Sequence, residues 1–520
     1  MYERNPKDET WICPPPGRGG RLRVAVAYPN TYWVGMSNLG FQAILRAFLE
    51  KPGFDVKRVF WDGSGLQFPD GGRALNEFDV VAFSVSYQPD IVHLPRMLEA
   101  GRAAVPAPRR SRPLLVGGGV TLTLNPEPAA PLLDVIAIGE SEPFLESLTE
   151  LLQSNSRGGG SEDLTHQLAS LPGAYIPSLY TTEESEDGLM LPHPVGSAEA
   201  TVRRVFLKNL DDHPARPAVV ARDTEFGTMY PLEISRGCPA GCAFCAAAAV
   251  CSPVRFLGKK RFIEEIEIGL RYRKKIGLVG TAVSYHPDLF DLGGEIHKRG
   301  GSFSPSSIRL ERLNPELAGL LAQSRHKTVS IAPESASERL RASIGKGVAD
   351  SSIINVVDIL QDAGLLNLKL YFMVGLPGEE DSDALGIIDL VDRVRSRMIK
   401  HGRKKGRMGS ISVSINPFVP KPHTALERSP MAEETVLSGR IGKVRDGLKR
   451  LGGVKVQAGS VRAAYLDGLI SLGDRRITDF LGDIPRSGLS MKRLDKLIPS
   501  ASQILLSERS GKLPWHFIEN

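Results

Sequence analysis

The stretch YPLEISRGCPAGCAFC, Tyr230 to Cys245, joins a short apolar run to a loop that holds three of the chain's five cysteines. The run reads as a buried strand, and the loop as the first turn beyond its carboxyl end. The three thiols are spaced C-x3-C-x2-C in a chain that otherwise hardly uses cysteine. Such clustering indicates metal or redox chemistry rather than a disulfide framework, and the reducing cytosol is its natural compartment.

Downstream of Tyr230 the apolar runs GLVGTAVS, GSFSPSSI, TVSIAPE, LKLYFMVGLP and SISVSINPF continue the pattern. Helices fit between them, for example over 336–344 and 350–362. About six parallel strands in roughly 200 residues predict a partial (βα)6 barrel over 229–430, and barrel active sites lie at the carboxyl ends of the strands. Upstream, RLRVAVAYP, FDVVAFSVSY, RPLLVGGG and LLDVIAIGE alternate with helical segments. They predict an N-terminal doubly wound parallel sheet over 20–153, giving an α/β protein overall. Ligands of such sheets sit beyond the strand ends. The residues there are Ser84, Ser86, Gly117, Gly118, Gly119, Gly139 and Glu140, small or polar as a backbone-lined pocket requires. SNSRGGGSED reads as a flexible linker opening a strand-rich connector, 154–228. Residues 431–520 read as a small helical C-terminal region. RSRMIKHGRKKGR, from Arg395, reads as a basic loop, with a solvated helix end or loop as one reading and contact with an anion or nucleic acid as the other.

At 520 residues the chain is too long for one core, and roughly two to four domains are expected. The apolar fraction of 42% and charged fraction of 24% are ordinary for a globular protein. A formal charge of +6 is small for this length and gives no ground to expect a nucleic-acid partner. No apolar run reaches the length of a membrane span, so no membrane partner is expected and the cytoplasm is the expected location. The polar N-terminus is neither a signal peptide nor a transit sequence.

Three thiolates suit a soft metal: zinc, or an iron–sulfur cluster. Structural zinc wants four ligands in two pairs, and there is no second C-x2-C pair. A cubane held by three thiolates keeps one iron open for a small molecule, which explains three ligands instead of four. Gly237 and Gly241 let the loop turn tightly, and Phe244 offers an aromatic face beside it.

ISRGCPAGCAFC resembles the signature loop of radical S-adenosylmethionine (SAM) enzymes. The resemblance implies that Cys238, Cys242 and Cys245 hold a [4Fe–4S] cluster whose open iron chelates SAM. Reductive cleavage then yields a 5′-deoxyadenosyl radical that takes hydrogen from a substrate. It also implies an external one-electron reductant such as flavodoxin or ferredoxin. Phe244 would lie near the adenine. SIAPESASERLRASIGKG is similar to the family's fourth-strand segment, so Glu334 and Ser335 would face SAM; a helix cap is the alternative for Glu334. LKLYFMVGLPGEEDSD is similar to the fifth-strand segment, with Gly375, Pro377 and Gly378 passing the adenine. Arg309, in a third-strand-like segment, would meet the SAM carboxylate or form a structural ion pair. GTAVSYHPD takes the place of the second-strand motif but lacks its acidic residue, leaving backbone oxygens or Ser284 to substitute. His286 there reads either as a proton donor or as a turn cap. Asn416, Lys421 and His423, after the last strand, are the substrate-side candidates.

The first domain resembles the cobalamin-binding domain fused to many of these enzymes. It is most like a fused group carrying YPN-x-Y-x-x-GMSNLG. The first βα loop here has no histidine, so no histidine lower ligand to cobalt comes from it; Tyr32, Trp33 or Met36 would cover that face, or solvent would. The small residues Ser84, Ser86 and Gly117 to Gly119 would leave room for the corrin and its tail. The implied function is methyl transfer to an unactivated carbon of an unknown substrate with cobalamin. The alternatives are a cobalamin-assisted rearrangement or ring formation, and a non-catalytic cobalamin and cluster sensor.

Overall fold

The computed structural model describes residues 8–17, 19–103, 113–156, 164–196, 198–306 and 308–519. The predicted linker SNSRGGGSED lies largely outside them. The chain forms two compact units. Unit one comprises Met1–Pro231, Leu469–Arg486 and Arg509–Asn520, and unit two comprises Leu232–Gly468 and Ser487–Glu508.

Unit one is built on five parallel strands: β1 (Leu22–Tyr28), β2 (Phe54–Trp61), β3 (Val80–Ser84), β4 (Leu114–Gly118) and β5 (Val135–Ala137). Their spatial order is 2-1-3-4-5, with the short antiparallel strands Leu66–Gln67 and Ala174–Tyr175 at the two edges. Val24, Ala25, Val26 and Ala27 of β1 are all fully buried, as a parallel sheet covered on both faces requires. Helix α1 (Leu39–Leu49) covers one face with Phe41, Leu45 and Phe48, joined in the same core by Phe144 and Leu148 of α2 (Ser141–Ser156), and the Asn38 side chain caps α1 by accepting from Phe41 N at 2.8 Å. Strand order reverses direction between β1 and β3, which is where open sheets of this kind form a ligand crevice. β2 was not among the strands expected. Its sequence FDVKRVFW is rich in β-branched and aromatic residues, the composition of a strand.

Unit two carries the second series. β6 (Tyr230–Arg236), which begins at the unit boundary, β7 (Lys275–Gly280) and β8 (Ser302–Pro305) form one sheet with the short antiparallel strand Arg255–Phe256. β9 (Thr328–Glu334), β10 (Asn367–Val374), β11 (Ile411–Pro417) and β12 (Val454–Ala458) form a second, entirely parallel sheet. β12 falls in the region expected to be helical. It follows α7 (Glu434–Lys449), so the βα alternation runs one strand beyond the six expected. The burial of β10 alternates: Leu368, Leu370, Phe372 and Val374 are buried, and Lys369, Tyr371 and Met373 less so.

Of the readings of RSRMIKHGRKKGR, the helix end holds and the loop does not. The stretch forms the second half of α6 (Asp381–Lys405), which ends at Gly406 with φ 68°. Val394 and Met398 continue the buried stripe, and Arg403, Lys404 and Lys405 sit at the carbonyl end, where cations are favoured. No described helix is long and apolar enough to cross a membrane.

Candidate active site

The cysteine loop leaves β6 through Gly237, whose φ of +82° suits glycine and whose Cβ would lie 2.6 Å from the Cys251 carbonyl oxygen. Thr281 Oγ1 donates to the Gly237 carbonyl at 2.6 Å, tying the loop to the end of β7. Farther along, Ala243 N donates to Ile344 O at 3.1 Å and Leu426 N to Ala243 O at 3.2 Å. The loop is thereby fastened to the segments that follow β9 and β11. Helix α3 (Ala246–Val250) begins immediately after Cys245, and Cys251 caps its far end.

Cys238, Cys242 and Cys245 border one cavity of about 350 Å³, with Gly280, Thr281, Ser306 and Arg309 among the other lining residues. Cys251 does not line it, and Cys13 is buried in unit one with its Sγ 3.6 Å from Ala218 O. Burial raises the Cys245 thiol pKa, and the Ala248 and Ala247 N–H groups oppose that rise. Among the described residues no three His, Cys, Asp or Glu side chains close round a single ion.

Arg309 is the charge at this site. Its Nη1 donates to Cys242 Sγ at 3.1 Å, its Nε to Glu311 at 2.7 Å, and its backbone N to Ser284 Oγ at 3.1 Å. Burial works against the guanidinium charge, but the bonds to Cys242 and Glu311 outweigh it and raise the pKa. Ser284 thus holds Arg309 and does not line the cavity; Gly280, Thr281 and Ser306 do. His286 is a turn residue: its Nε2 meets Leu257 O at 3.0 Å, and its Nδ1 accepts from Asp288 N at 3.1 Å.

Phe244 packs with Met373 and Leu426 on buried Ile344, Leu376 and Phe418. Four loops meet there. Gly375 begins the turn after β10 at φ +92°, and its N donates to Glu379 Oε2 at 2.6 Å. Arg440 Nη1 also reaches Glu379, at 3.0 Å. Burial raises the Glu379 pKa, and the Gly375 N–H and Arg440 work against that rise. Pro377 and Gly378 are exposed. Glu334 ends β9 at φ +69°, a left-handed value uncommon for a non-glycine residue. It does not cap the following helix, α4 (Glu338–Ser343), whose N-cap is Ser337; it pairs instead with Lys346 Nζ at 2.7 Å. Ser335 is buried and accepts from Ser337 N at 3.2 Å. Lys346, Glu379 and Arg440 were not anticipated from sequence. Their partners lie 12 to 61 residues away or across a turn, beyond any local pattern.

The substrate-side candidates are dispersed. Asn416 is exposed at the end of β11, Lys421 pairs with Asp467 at 2.6 Å, and His423 adopts φ 62° with its N donating to Glu427. None of the three lines the cysteine cavity.

At the carboxyl end of the first sheet the glycines make room for the protein itself. A Cβ at Gly117 would lie 2.4 Å from Leu133 Cδ1, at Gly119 2.5 Å from Val85 O, and at Gly139 2.1 Å from Val205 O. A Cβ at Gly118 would meet only Ala137, at 3.5 Å. Glu140 accepts from Leu207 N at 2.8 Å, fastening the same connector. The expectation that Gly117 and Gly119 leave space for a cofactor tail is therefore corrected: close packing fills that space. Ser84 and Met36 are buried, and Met36 Sδ accepts from Arg58 Nη1 at 3.7 Å. Tyr32 OH donates to Glu9. The β1/β3 switch point differs in character. Ser86 is half-buried there, and Trp33 and Tyr87 are 44% and 47% exposed. Asp90 Oδ1 accepts from Asn30 at 2.8 Å and Arg486 at 2.7 Å, while its buried Oδ2 has no partner among the described residues. Trp61 Nε1 and Thr121 Oγ1 are likewise buried without partners.

Residues 232–391 match the model of the radical SAM superfamily, and residues 46–177 match that of the N-terminal region of radical SAM proteins. An uncharacterized protein of Methanocaldococcus jannaschii is 28% identical over 483 residues, covering 91% of this chain and 94% of that protein. An uncharacterized methyltransferase of Pyrococcus horikoshii is 25% identical over 340 residues, covering 62% of this chain and 67% of that protein. In fold, the chain is similar to the radical SAM methyltransferase TsrM of Kitasatospora setae, a structure with tryptophan substrate and a SAM analog bound. The TM-score is 0.52 at 14% identity, over 82% of this chain and 77% of that one.

Proposed function

The chain belongs to the radical SAM superfamily and is an enzyme of it, and on that premise we propose that it transfers a methyl group to an unactivated carbon of its substrate, with cobalamin as a second cofactor. The observation that carries the reading is the convergence of Cys238, Cys242 and Cys245 on one cavity beside Arg309. The cavity of about 350 Å³ is an order of magnitude larger than the ~30 Å³ share of one water molecule. It suits a polynuclear cluster with part of a bound ligand better than a single ion, and three soft thiolates are the donor set that iron–sulfur clusters take. When bound, a [4Fe–4S] cluster supplies an open iron and the electron that cleaves SAM. The cytosol would supply that electron through a small carrier such as flavodoxin or ferredoxin.

The chain's own residues do the rest. Arg309 places a fixed positive charge where the SAM carboxylate would lie and donates to the Cys242 sulfur. Gly280, Thr281 and Ser306 supply the backbone and hydroxyl groups that stand in for the missing acidic residue. Phe244 gives an apolar wall for adenine, and Glu379 with Arg440 holds the Gly375 to Gly378 turn beside it. Glu334 and Ser335 complete the SAM side, and Asn416, Lys421 and His423 remain the substrate-side proposal. For cobalamin, Trp33 and Tyr87 at the β1/β3 switch offer exposed aromatic faces, and Ser86 a half-buried hydroxyl. The unpartnered Asp90, Trp61 and Thr121 atoms offer polar groups that an amide-rich ligand could satisfy. Cobalamin, when bound, supplies a methyl carrier.

Anaerobic reconstitution tests the reading. Iron and sulfide near 4 each per chain are expected, together with 5′-deoxyadenosine on adding dithionite and SAM, and retained cobalamin. Zinc in place of iron, or no 5′-deoxyadenosine, would overturn it. Retained cobalamin without label transfer from methyl-labelled SAM to substrate would point to rearrangement or ring formation.

A further inference from the structure

The inner face of β9 to β12 is polar and cationic. Ser330, Lys369, Ser412 and Lys455 lie side by side across the four strands. Two residues nearer the carboxyl ends, Tyr371, Ser414 and Gln457 form the next row. Ser330, Lys455 and Gln457 are exposed although they sit within strands, so this face is open to solvent. The Lys369 ammonium lies 4.8 Å from the centre of the Tyr371 ring and therefore leans toward the carboxyl end. Neighbouring strands stand about 4.8 Å apart, so Lys369 and Lys455 flank Ser412 with roughly 10 Å between their backbones, within reach of one group held above it.

The carboxylates of the strands are already neutralised. Glu233 of β6 pairs with Arg236 at 2.6 Å, and Glu334 of β9 pairs with Lys346 at 2.7 Å. Lys369 and Lys455 have no carboxylate partner among the described residues. A half-buried and an exposed ammonium group, neither compensated, with hydroxyls between them make a site for an oxyanion. Nearer the cysteine loop the same face turns apolar: Met373 packs with Phe244.

We propose that this face binds the oxyanion group of the substrate, a carboxylate or a phosphate, held by Lys369 and Lys455 with Ser412 and Ser414. The inference rests on the barrel being the seat of the reaction proposed above, and it adds the substrate's class. The substrate is an elongated acid, its charged end low in the barrel and its apolar, reacting end near the cysteine loop. At 3.3 Å per residue, Tyr371 lies about 10 Å below the end of β10, which sets the distance between those two ends.

Binding is measured on the full-length reconstituted protein, with inorganic phosphate followed by phosphorus NMR and hexanoate by saturation transfer. Wild type is expected to bind at least one probe with a dissociation constant below about 50 mM, and the preferred probe tells phosphate from carboxylate. Lys369→Met and Lys455→Met should each weaken that binding at least about tenfold, with Lys369→Arg restoring part of it. Lys400→Met, on exposed helix surface, removes the same charge elsewhere and should bind like wild type. Circular dichroism identifies any variant that fails to fold, and the second lysine then decides. Binding of neither probe by wild type, or equal weakening in Lys400→Met, would overturn the proposal. SAM cleavage is read separately: absent cleavage with intact probe binding defeats the enzymatic reading and leaves the oxyanion site standing.

Discussion

Arg309 shows how one side chain links the cysteine loop to the third strand's loop. It donates to Cys242 Sγ at 3.1 Å and to Glu311 at 2.7 Å. A hydrogen bond to a charged group is worth about 1.5–3 kcal/mol, so removing it costs roughly ten- to hundredfold in whatever it stabilises. Arg309→Gln is therefore expected to slow 5′-deoxyadenosine formation by that factor while the iron content of the reconstituted protein stays the same. Arg309→Lys should recover only part of the loss, because an ammonium cannot serve both partners with a planar fork. A full rate in Arg309→Gln would reduce the residue to packing. The cysteines themselves were legible because their spacing is local and their chemistry is rare. Arg309 could be named but not its bond to sulfur, since that contact spans 67 residues. Lys346, which neutralises Glu334, gave no signal because a lysine after a helix usually faces water.

Among the elements, β6 and β7 press closest. A Cβ on Gly280 would lie 2.1 Å from Ser235 Oγ and 2.6 Å from Ser235 O, so the end of β7 can approach β6 only as glycine. Gly280→Ala should cost about 1–3 kcal/mol or more through overpacking, lower the melting temperature, and disturb the cavity that Gly280 lines. Gly319, in the helix Pro315–Gln323, has nothing within 4 Å of its Cβ position. Gly319→Ala should stabilise by about 0.5–1 kcal/mol, giving a contrast of sign between two identical substitutions. Thermal melts of the two variants check this, and a destabilised Gly319→Ala would undo the steric argument. The elements themselves were mostly legible: α5 (Asp350–Asp362) matches its expected span, and β9 matches TVSIAPE. The failures share a cause. β2 mixes charged with apolar residues, and β12 is five residues long with two exposed polar side chains, so neither forms a continuous apolar run. The charge density of RSRMIKHGRKKGR hid a helical stripe in which only Met398 and Gly402 are buried.

On the scale of the whole molecule, unit one was legible as a βα series because strands buried on two faces, such as β1 and β3, write uninterrupted apolar runs, and unit two because β9 to β11 carry a buried residue at every second position. What the glycines after β4 and β5 do was not, since φ and close approach to Val85 or Val205 are tertiary facts. Both units also bury histidine: His93 in unit one and His286 in unit two are buried, and His326 in unit two is half-buried. Burial lowers the pKa of all three, and backbone carbonyls of Pro29, Leu257 and Phe303 oppose it only in part. Between the folded value and the ordinary 6.5, the unfolded chain binds more protons than the folded one, so stability falls as pH falls. The contribution is complete above pH 6.5 and drains away as pH drops through the folded values, at up to about 1.4 kcal/mol per pH unit for each histidine. Asp90 and Glu379, whose pKa values burial raises, act in the opposite sense at lower pH. The melting temperature of the cluster-free protein should therefore decline from pH 7.5 to pH 5.5. The decline should be shallower in His286→Gln, where the amide can still meet the Leu257 carbonyl without titrating. A melting temperature that stays level across this range, or an identical slope in His286→Gln, would show that these imidazoles are charged without cost in the folded protein.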